Sequence, residues 1–230
     1  MHLPFFCPIC NAPISHEDKI CKDCAKQLDS ECFDSMISRC PICFFPRLSD
    51  DYVCEKCGNG TRSHYRIYPV ARYDGKLGYS VLYSFKFLDH RELAIVAAKY
   101  LKRALDVLDP EGKALIVPVP CSMERHEKYG WDHMIEVCKA MKRPYLSLIS
   151  NGDAAIYQQK RLKRTERILA SYGKYAINPE YADKVEELRD RKVIVVDDIL
   201  TTGSTMLSAI GLLEKSGFTD LSGATWLCEL

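Results

Sequence analysis

From about Arg62 onward, short apolar runs alternate with longer segments whose apolar residues recur at three- and four-residue steps. IYPVARY (Ile67 to Tyr73) reads as a strand closed by an Asp74-Gly75 turn, and an amphipathic helix follows through Phe87. ELAIVAAKYLKRALDVL (Glu92 to Leu108) predicts a helix, ended by Asp109-Pro110. ALIVPVP (Ala114 to Pro120) predicts a buried strand running into a loop, and helical spacing resumes from near Trp131 to Met141. YLSLI (Tyr145 to Ile149) reads as a strand, and the basic segment 160-KRLKRTER-167 precedes a short helix. VIVV (Val193 to Val196) is the expected central strand, SAIGLLEKSG (Ser208 to Gly217) a helix with a glycine stop, and GATWLCEL a closing strand. Strands alternating with helices imply a parallel α/β sheet flanked by helices, in which ligands sit at the carboxyl ends of the strands.

The first sixty residues follow a different rule. Eight cysteines form four C-x-x-C pairs: Cys7/Cys10, Cys21/Cys24, Cys40/Cys43 and Cys54/Cys57. Each cysteine of the first half recurs 33 positions later, and CPIC and the proline after it (Pro13, Pro46) recur with them. This is an internal duplication. A thiolate pair separated by two residues reaches one tetrahedral ion, and two pairs complete the shell. A module of this size cannot bury enough core to be stable alone, so metal supplies folding energy. All-thiolate tetrahedral sites favour zinc, which predicts two structural Zn²⁺ ions. Sequential pairing follows from the duplication, while a cross-braced arrangement also satisfies the spacing. Cys32, Cys121, Cys138 and Cys228 stand outside the pattern and read as ordinary thiols. The expected division is therefore 1–61 for the duplicated zinc-binding module and 62–230 for the α/β domain.

Composition removes several function classes. The 230 residues carry 32 Lys and Arg against 31 Asp and Glu, so global charge gives no argument for nucleic acid. Residues 1–60 hold six basic and nine acidic side chains, and thiolate-bound zinc adds further negative charge, which suits protein docking better than phosphate contact. No apolar run approaches the length of a membrane span, which argues against membrane insertion, and no signal peptide is recognisable. A cytoplasmic protein is expected.

VIVVDDILTTGST (Val193 to Thr205) carries the chemistry. Thr201, Thr202, Gly203, Ser204 and Thr205 offer backbone N–H groups, hydroxyls and a helix N-terminus to a phosphate dianion. Asp197 and Asp198 can accept hydrogen bonds from a ribose diol or help place Mg²⁺. The chain lacks the G-x-x-x-x-G-K-[ST] of a P-loop and the G-x-G-x-x-G of a dinucleotide fold. An ordinary helix cap at Asp198 or Thr202 explains one polar residue, not two acids followed by five small positions.

VIVVDDILTTGST resembles the phosphoribosyl-pyrophosphate (PRPP) signature of type I phosphoribosyltransferases. Further segments resemble the ComF (competence protein F) family: 85-FKFLDHREL-93, 116-IVPVPCSMERHEKYGWDH-133, 158-QQKRLKRTER-167 and the doubled C-x-x-C front end. The resemblance implies a type I phosphoribosyltransferase-like fold preceded by the zinc-binding module. It implies that Asp197 and Asp198 bind the ribose hydroxyls of PRPP and that residues 201–205 hold its 5′-phosphate. The loop at Val119 and Pro120 would face the pyrophosphate, with Arg125 a charge partner and Arg164 and Arg167 on a hood that closes over it. Mg²⁺ would accompany PRPP. It further implies a role in DNA uptake, with single-stranded DNA and uptake proteins such as a helicase or membrane channel as partners. The family's Gly-Phe-Asn-Gln reads Gly130-Trp131-Asp132-His133 here, placing an acid near the expected pyrophosphate. Purine-salvage enzymes of this fold often carry an acidic base where Thr201 stands, and threonine cannot act as one at neutral pH. The acceptor and any catalytic residue are thus unassigned, and active nucleotide salvage is the alternative function. The basic run 160–167 suits a solvated helix face, pyrophosphate or single-stranded DNA.

Overall fold

The computed structural model describes residues 5–33, 38–47, 51–54, 57, 65–73, 76–152 and 174–229. The Asp74-Gly75 turn, the 160–167 segment with Arg164 and Arg167, and the division expected at residue 61 lie outside the described residues.

The elements in chain order are β1 (Phe5–Phe6), β2 (Pro13–Ile14), α1 (Lys22–Glu31), β3 (Arg66–Arg72), α2 (Lys76–Phe87), α3 (Ala94–Leu108), β4 (Leu115–Pro118), α4 (Met123–Tyr129), α5 (His133–Met141), β5 (Ile149–Asn151), β6 (Tyr175–Ile177), α6 (Val185–Leu188), β7 (Val193–Leu200), α7 (Ser204–Lys215) and β8 (Leu221–Cys228). The central sheet has the order β3-β8-β7-β4, with every pair parallel. Helices cover both faces. On one, Val96, Leu101 and Leu105 of α3 and Met134 and Val137 of α5 pack on Ile194, Val196, Ala224 and Trp226. On the other, Met206, Ala209, Ile210 and Leu213 of α7 pack on Val193, Val195, Leu115 and Val117. The apolar run Val193 to Val196 is buried on both faces because β7 is an inner strand of such a sandwich. Among the described residues no helix is long and apolar enough to cross a membrane.

Two local expectations change. Tyr145 to Ile149 is not one strand: Tyr145 bridges Ile116 on the outer edge of β4, and Ile149–Asn151 pairs antiparallel with β6 in a separate small sheet. The chain peels off the main sheet between these points, so one apolar run serves two sheets. The central strand does not stop at Val196 but continues to Leu200, because β8 pairs alongside it through Cys228.

The N-terminal segment closes the other sheet edge. Cys32 bridges Ala71, Phe33 N–H donates to Val70, and Ile67 N–H donates to the Cys43 carbonyl. An exposed parallel edge would otherwise offer unpaired backbone groups to other chains.

Candidate phosphoribosyl site and metal centres

The two cysteine repeats fold alike. Cys7 N–H donates to Ala12 and Asn11 N–H to Cys7; 33 residues on, Cys40 N–H donates to Phe45 and Phe44 N–H to Cys40. Asn11 and Phe44, at equivalent positions, both take the left-handed conformation, with φ of 60° and 62°. The β1–β2 pair Phe6–Pro13 is matched by the Arg39–Pro46 bridge. Each repeat brings its own four thiols together, with ligand atoms within 4.8 Å of one another, so the pairing is sequential rather than cross-braced. A zinc–sulfur length of about 2.3 Å requires a tetrahedral edge of roughly 3.8 Å. Sγ separations of 3.9 Å (Cys7–Cys24), 3.5 Å (Cys10–Cys21) and 3.6 Å (Cys43–Cys54) fit that edge, so each cluster could hold a zinc ion.

The thiols are also tuned in parallel. Burial pushes Cys7 up, but backbone N–H groups of Cys21, Cys10 and Ile9 outweigh it and bring the thiol down to about 7. Cys40 meets the same balance from Cys54, Cys43 and Ile42 and falls to about 6. Within the same clusters burial and neighbouring cysteines push Cys24 and Cys57 up, so one thiol of each repeat gives up its proton ahead of its partners. Of the four remaining cysteines, Cys121 and Cys138 are buried, which pushes both thiols up, with the nearby Asp132 charge adding to the effect.

The second site lies where β4 ends before its neighbour. Pro118 pairs with Val196, and Val119 N–H makes the last bond to the Val196 carbonyl. Asp197 and Asp198 are the first β7 residues beyond that edge, and a cavity of about 440 Å³ opens above them. Its lining includes Val119, Pro120, Arg125, Asp197, Asp198, Thr201, Gly203, Ser204 and Thr205, so most of the expected residues converge there. Thr202 is exposed beside it and accepts from Ser204 N–H through its hydroxyl. Gly203, with φ of 83°, turns the chain into α7 and makes no side-chain cap. A Cβ there would meet the left-handed penalty of about 1–2 kcal/mol. The first turn of α7 therefore lines the cavity through Ser204, Thr205 and Met206, at the helix end whose N–H groups lack partners within the helix. Neither Asp198 nor Thr202 is the cap residue.

The period-two alternation of β7 sends the two acids to different faces. Asp198 follows Ile194 and Val196 toward α2 and α5. There it meets the Lys86 ammonium at 2.5 Å and His133 Nε2 at 2.6 Å. Burial pushes its carboxyl up, but Lys86 and His133 outweigh this and hold it well below the usual carboxylate range. Asp197 lies on the Tyr175 side and receives one bond, from Asp198 N–H at 2.9 Å. Burial, reinforced by the charge of Asp198, pushes it up to about 8. The two carboxyls thus differ in their hold on a proton, Asp198 being the stronger acid and Asp197 the weaker.

Lys86 and His133 carry half of this constellation, and sequence reasoning did not place them at the acids. Lys86 sits in the last turn of α2. His133 opens α5, whose N-cap is Asp132: Asp132 Oδ1 accepts from Met134 and Ile135 N–H, and Oδ2 accepts from Cys121 N–H. Asp132 is therefore not an acid aimed at an incoming anion; its oxygens tie α5 to the β4 loop. Arg125 is 9% exposed and stacks against Tyr129, Trp131 and Phe87 at 4.8, 5.1 and 5.7 Å. Its Nη1 donates to the Lys86 carbonyl, while Nε and Nη2 are buried without a hydrogen-bond partner among the described residues. The guanidinium thus fixes the end of α2 from which Lys86 reaches Asp198. From the other rim, Lys174 donates to the Thr205 hydroxyl at 3.3 Å.

A phosphoribosyl transferase domain model matches residues 149–225, which contain β7, the Thr/Gly/Ser turn and α7. No curated protein sequence matches the chain. Among solved structures, a hypoxanthine phosphoribosyltransferase from Staphylococcus aureus is similar, with a TM-score of 0.34 and 21% identity over 60% of this chain and 64% of that one. The domain match and the all-parallel sandwich together make this a phosphoribosyltransferase-type α/β fold, preceded by two four-cysteine clusters.

Proposed function

We propose that the chain is a ComF-type, PRPP-binding protein that handles single-stranded DNA during DNA uptake. The observation that carries the PRPP reading is the convergence of a diol-binding acid pair and a helix N-terminus in one cavity, inside the segment matched by the phosphoribosyl transferase domain. Asp198 accepts from one ribose hydroxyl and Asp197 exchanges a bond with the other. Thr201 to Thr205 hold the 5′-phosphate with backbone N–H groups and hydroxyls. Lys86, Lys128 and Lys174 line the cavity and supply positive charge for the diphosphate. Mg²⁺ bound with PRPP would neutralise that diphosphate. The two cysteine clusters hold structural zinc.

The DNA reading draws support from a row of rings on α2. Tyr79, Tyr83 and Phe87 are about half exposed and succeed one another at centroid distances of 5.9 and 5.3 Å. Phe87 reaches the cavity rim. Aromatic platforms beside basic side chains take single strands without sequence preference. Titrating a labelled single strand by fluorescence anisotropy, with and without PRPP, tests this. Salt-sensitive binding weakened by Tyr83→Ala is expected. No binding at low salt would end the DNA reading and leave the PRPP site standing.

A further inference from the structure

Helix α1 has the first cysteine cluster at one end and the helix of Lys86 at the other. Its N-cap is Cys21 and its first turn carries Cys24, so two of the four thiols belong to that end. Its last residue, Glu31, lies about 15 Å along the axis. There one carboxylate oxygen accepts from Leu77 N–H and the other from Gly78 N–H. We propose that Glu31 is a positioning residue of the phosphoribosyl cavity, through which zinc bound in the first cluster sets the affinity for PRPP. The proposal rests on the phosphoribosyl reading of that cavity.

Three observations point there. The first is the course of α2. It starts against β3, where a Cβ on Gly78 would stand 2.7 Å from the Arg72 carbonyl oxygen and 3.3 Å from Glu31 Oε2. It ends at β7, where Lys86 meets Asp198 at 2.5 Å. With β8 between those strands, α2 crosses the carboxyl end of the sheet, seated by Glu31 at one end and lining the cavity with Lys86 and Phe87 at the other. Packed helices shift as units by about 1–2 Å, so a change at the seat is felt at Lys86.

The second is the build of α1. Cys24 N–H donates to Cys21 Sγ at 3.4 Å and Ala25 N–H to the Cys21 carbonyl, so the cluster forms the first turn. Nucleation is the costly step of helix formation, and ten residues are too few for a stable helix in water. Zinc that fixes the first turn therefore stabilises the last, where Leu28 enters the core, Asp29 accepts from Arg103 and Tyr100, and Glu31 seats α2. The third is the contrast between clusters. The Cys43 carbonyl of the second cluster accepts from Ile67 N–H near the start of β3, at the amino end of the sheet and away from the cavity.

The test measures PRPP affinity with Mg²⁺ by calorimetry, well below the unfolding temperatures, for the full chain, Cys10→Ser, Glu31→Ala and the double variant. Cys10 is the exposed thiol of its cluster, so replacing it disturbs packing least. Each single variant should weaken PRPP by about fivefold or more. The double variant should stay within about twofold of the weaker single, because both act through one link. Glu31→Gln keeps one acceptor oxygen and should fall between the parent and Glu31→Ala. Hydrogen exchange at the Leu77 and Gly78 amides, followed without PRPP, should quicken in both single variants. If Cys10→Ser does not fold, reciprocity in the parent decides: bound PRPP should raise the affinity for one of the two zinc ions, read by chelator competition. No PRPP binding by the parent would end the phosphoribosyl reading and this proposal with it. Unchanged PRPP affinity or amide exchange in either single variant, effects that multiply in the double variant, or zinc retention indifferent to PRPP would overturn the coupling alone.

Discussion

Glu31 joins the cysteine-rich segment to the helix that carries Lys86. It ends α1, and its carboxylate accepts from Leu77 N–H at 3.1 Å and Gly78 N–H at 2.8 Å. These belong to the first turn of α2, whose N–H groups have no partner within the helix. Glu31 is thus an N-cap supplied from 46 residues away, with its charge on the favourable end of the helix dipole. Replacing it with alanine removes two charge-assisted bonds. A lost N-cap costs about 0.5–2 kcal/mol, and hydrogen bonds to charged groups are worth about 1.5–3 kcal/mol each. The cap figure and the bond figure describe the same two contacts, so they are not added, and the measured cap range sets the expected loss at its upper end, about 2 kcal/mol. For a chain of this size that lowers Tm by roughly 4–8 °C. Glu31→Gln keeps one acceptor oxygen and should lose about half as much. Fluorescence of the buried Trp131 and Trp226 follows the unfolding, with zinc content measured alongside. A Glu31→Ala protein that keeps its zinc and unfolds within about 1 °C of the parent would refute the cap and the coupling built on it.

Other residues give independent checks. Cys10→Ser and Cys57→Ser should each reduce zinc from two ions per chain to one; loss of both ions in either variant would contradict separate, sequentially paired sites. Asp109, 6% exposed, accepts from Ala114 and Lys113 N–H and from Arg143, and despite burial these hold its carboxyl below its ordinary value. Its stabilising effect is therefore present above the unfolded value, near pH 4, and lost as pH falls through the lower folded value. Asp109→Asn should flatten the acid limb of urea-unfolding stability, and parallel curves for the two proteins would sink the assignment. Gly203→Ala places a Cβ on a residue at φ 83° and should cost about 1–2 kcal/mol while weakening phosphate binding; unchanged PRPP affinity would remove this turn from the site.

The features legible in the sequence were those with a period. The 33-residue cysteine repeat reappears in the structure down to its backbone bonds and the matched left-handed residues Asn11 and Phe44. The apolar run Val193 to Val196 announced the central strand, and the Thr/Gly/Ser turn announced a helix N-terminus. What the sequence concealed depends on contacts between distant segments. Lys86, His133 and Asp198 lie on α2, α5 and β7, and only the parallel sheet brings their heads together. Asp132 read as an acid facing an anion because its second oxygen is tied to Cys121 N–H, eleven residues earlier, while the first caps α5 through Met134 and Ile135 N–H. Helix α4, MERHEKY, escaped notice because it has almost no apolar residues; its buried side chain is Arg125, held by aromatic rings rather than aliphatic neighbours. The basic run at 160–167 stood out clearly in the sequence but lies outside the described residues.

The central claim is that the cavity over β7 is a phosphoribosyl site built on the Asp197–Asp198 pair. Calorimetric titration of PRPP with Mg²⁺ into the parent protein and into the Asp197→Asn/Asp198→Asn double variant tests it most directly. Both substitutions preserve side-chain volume, so unfolding temperature and zinc content serve as controls for the fold. The account predicts saturable binding of one PRPP per chain in the parent and none in the double variant. Equal affinity in both proteins, or no binding to the parent, would contradict it.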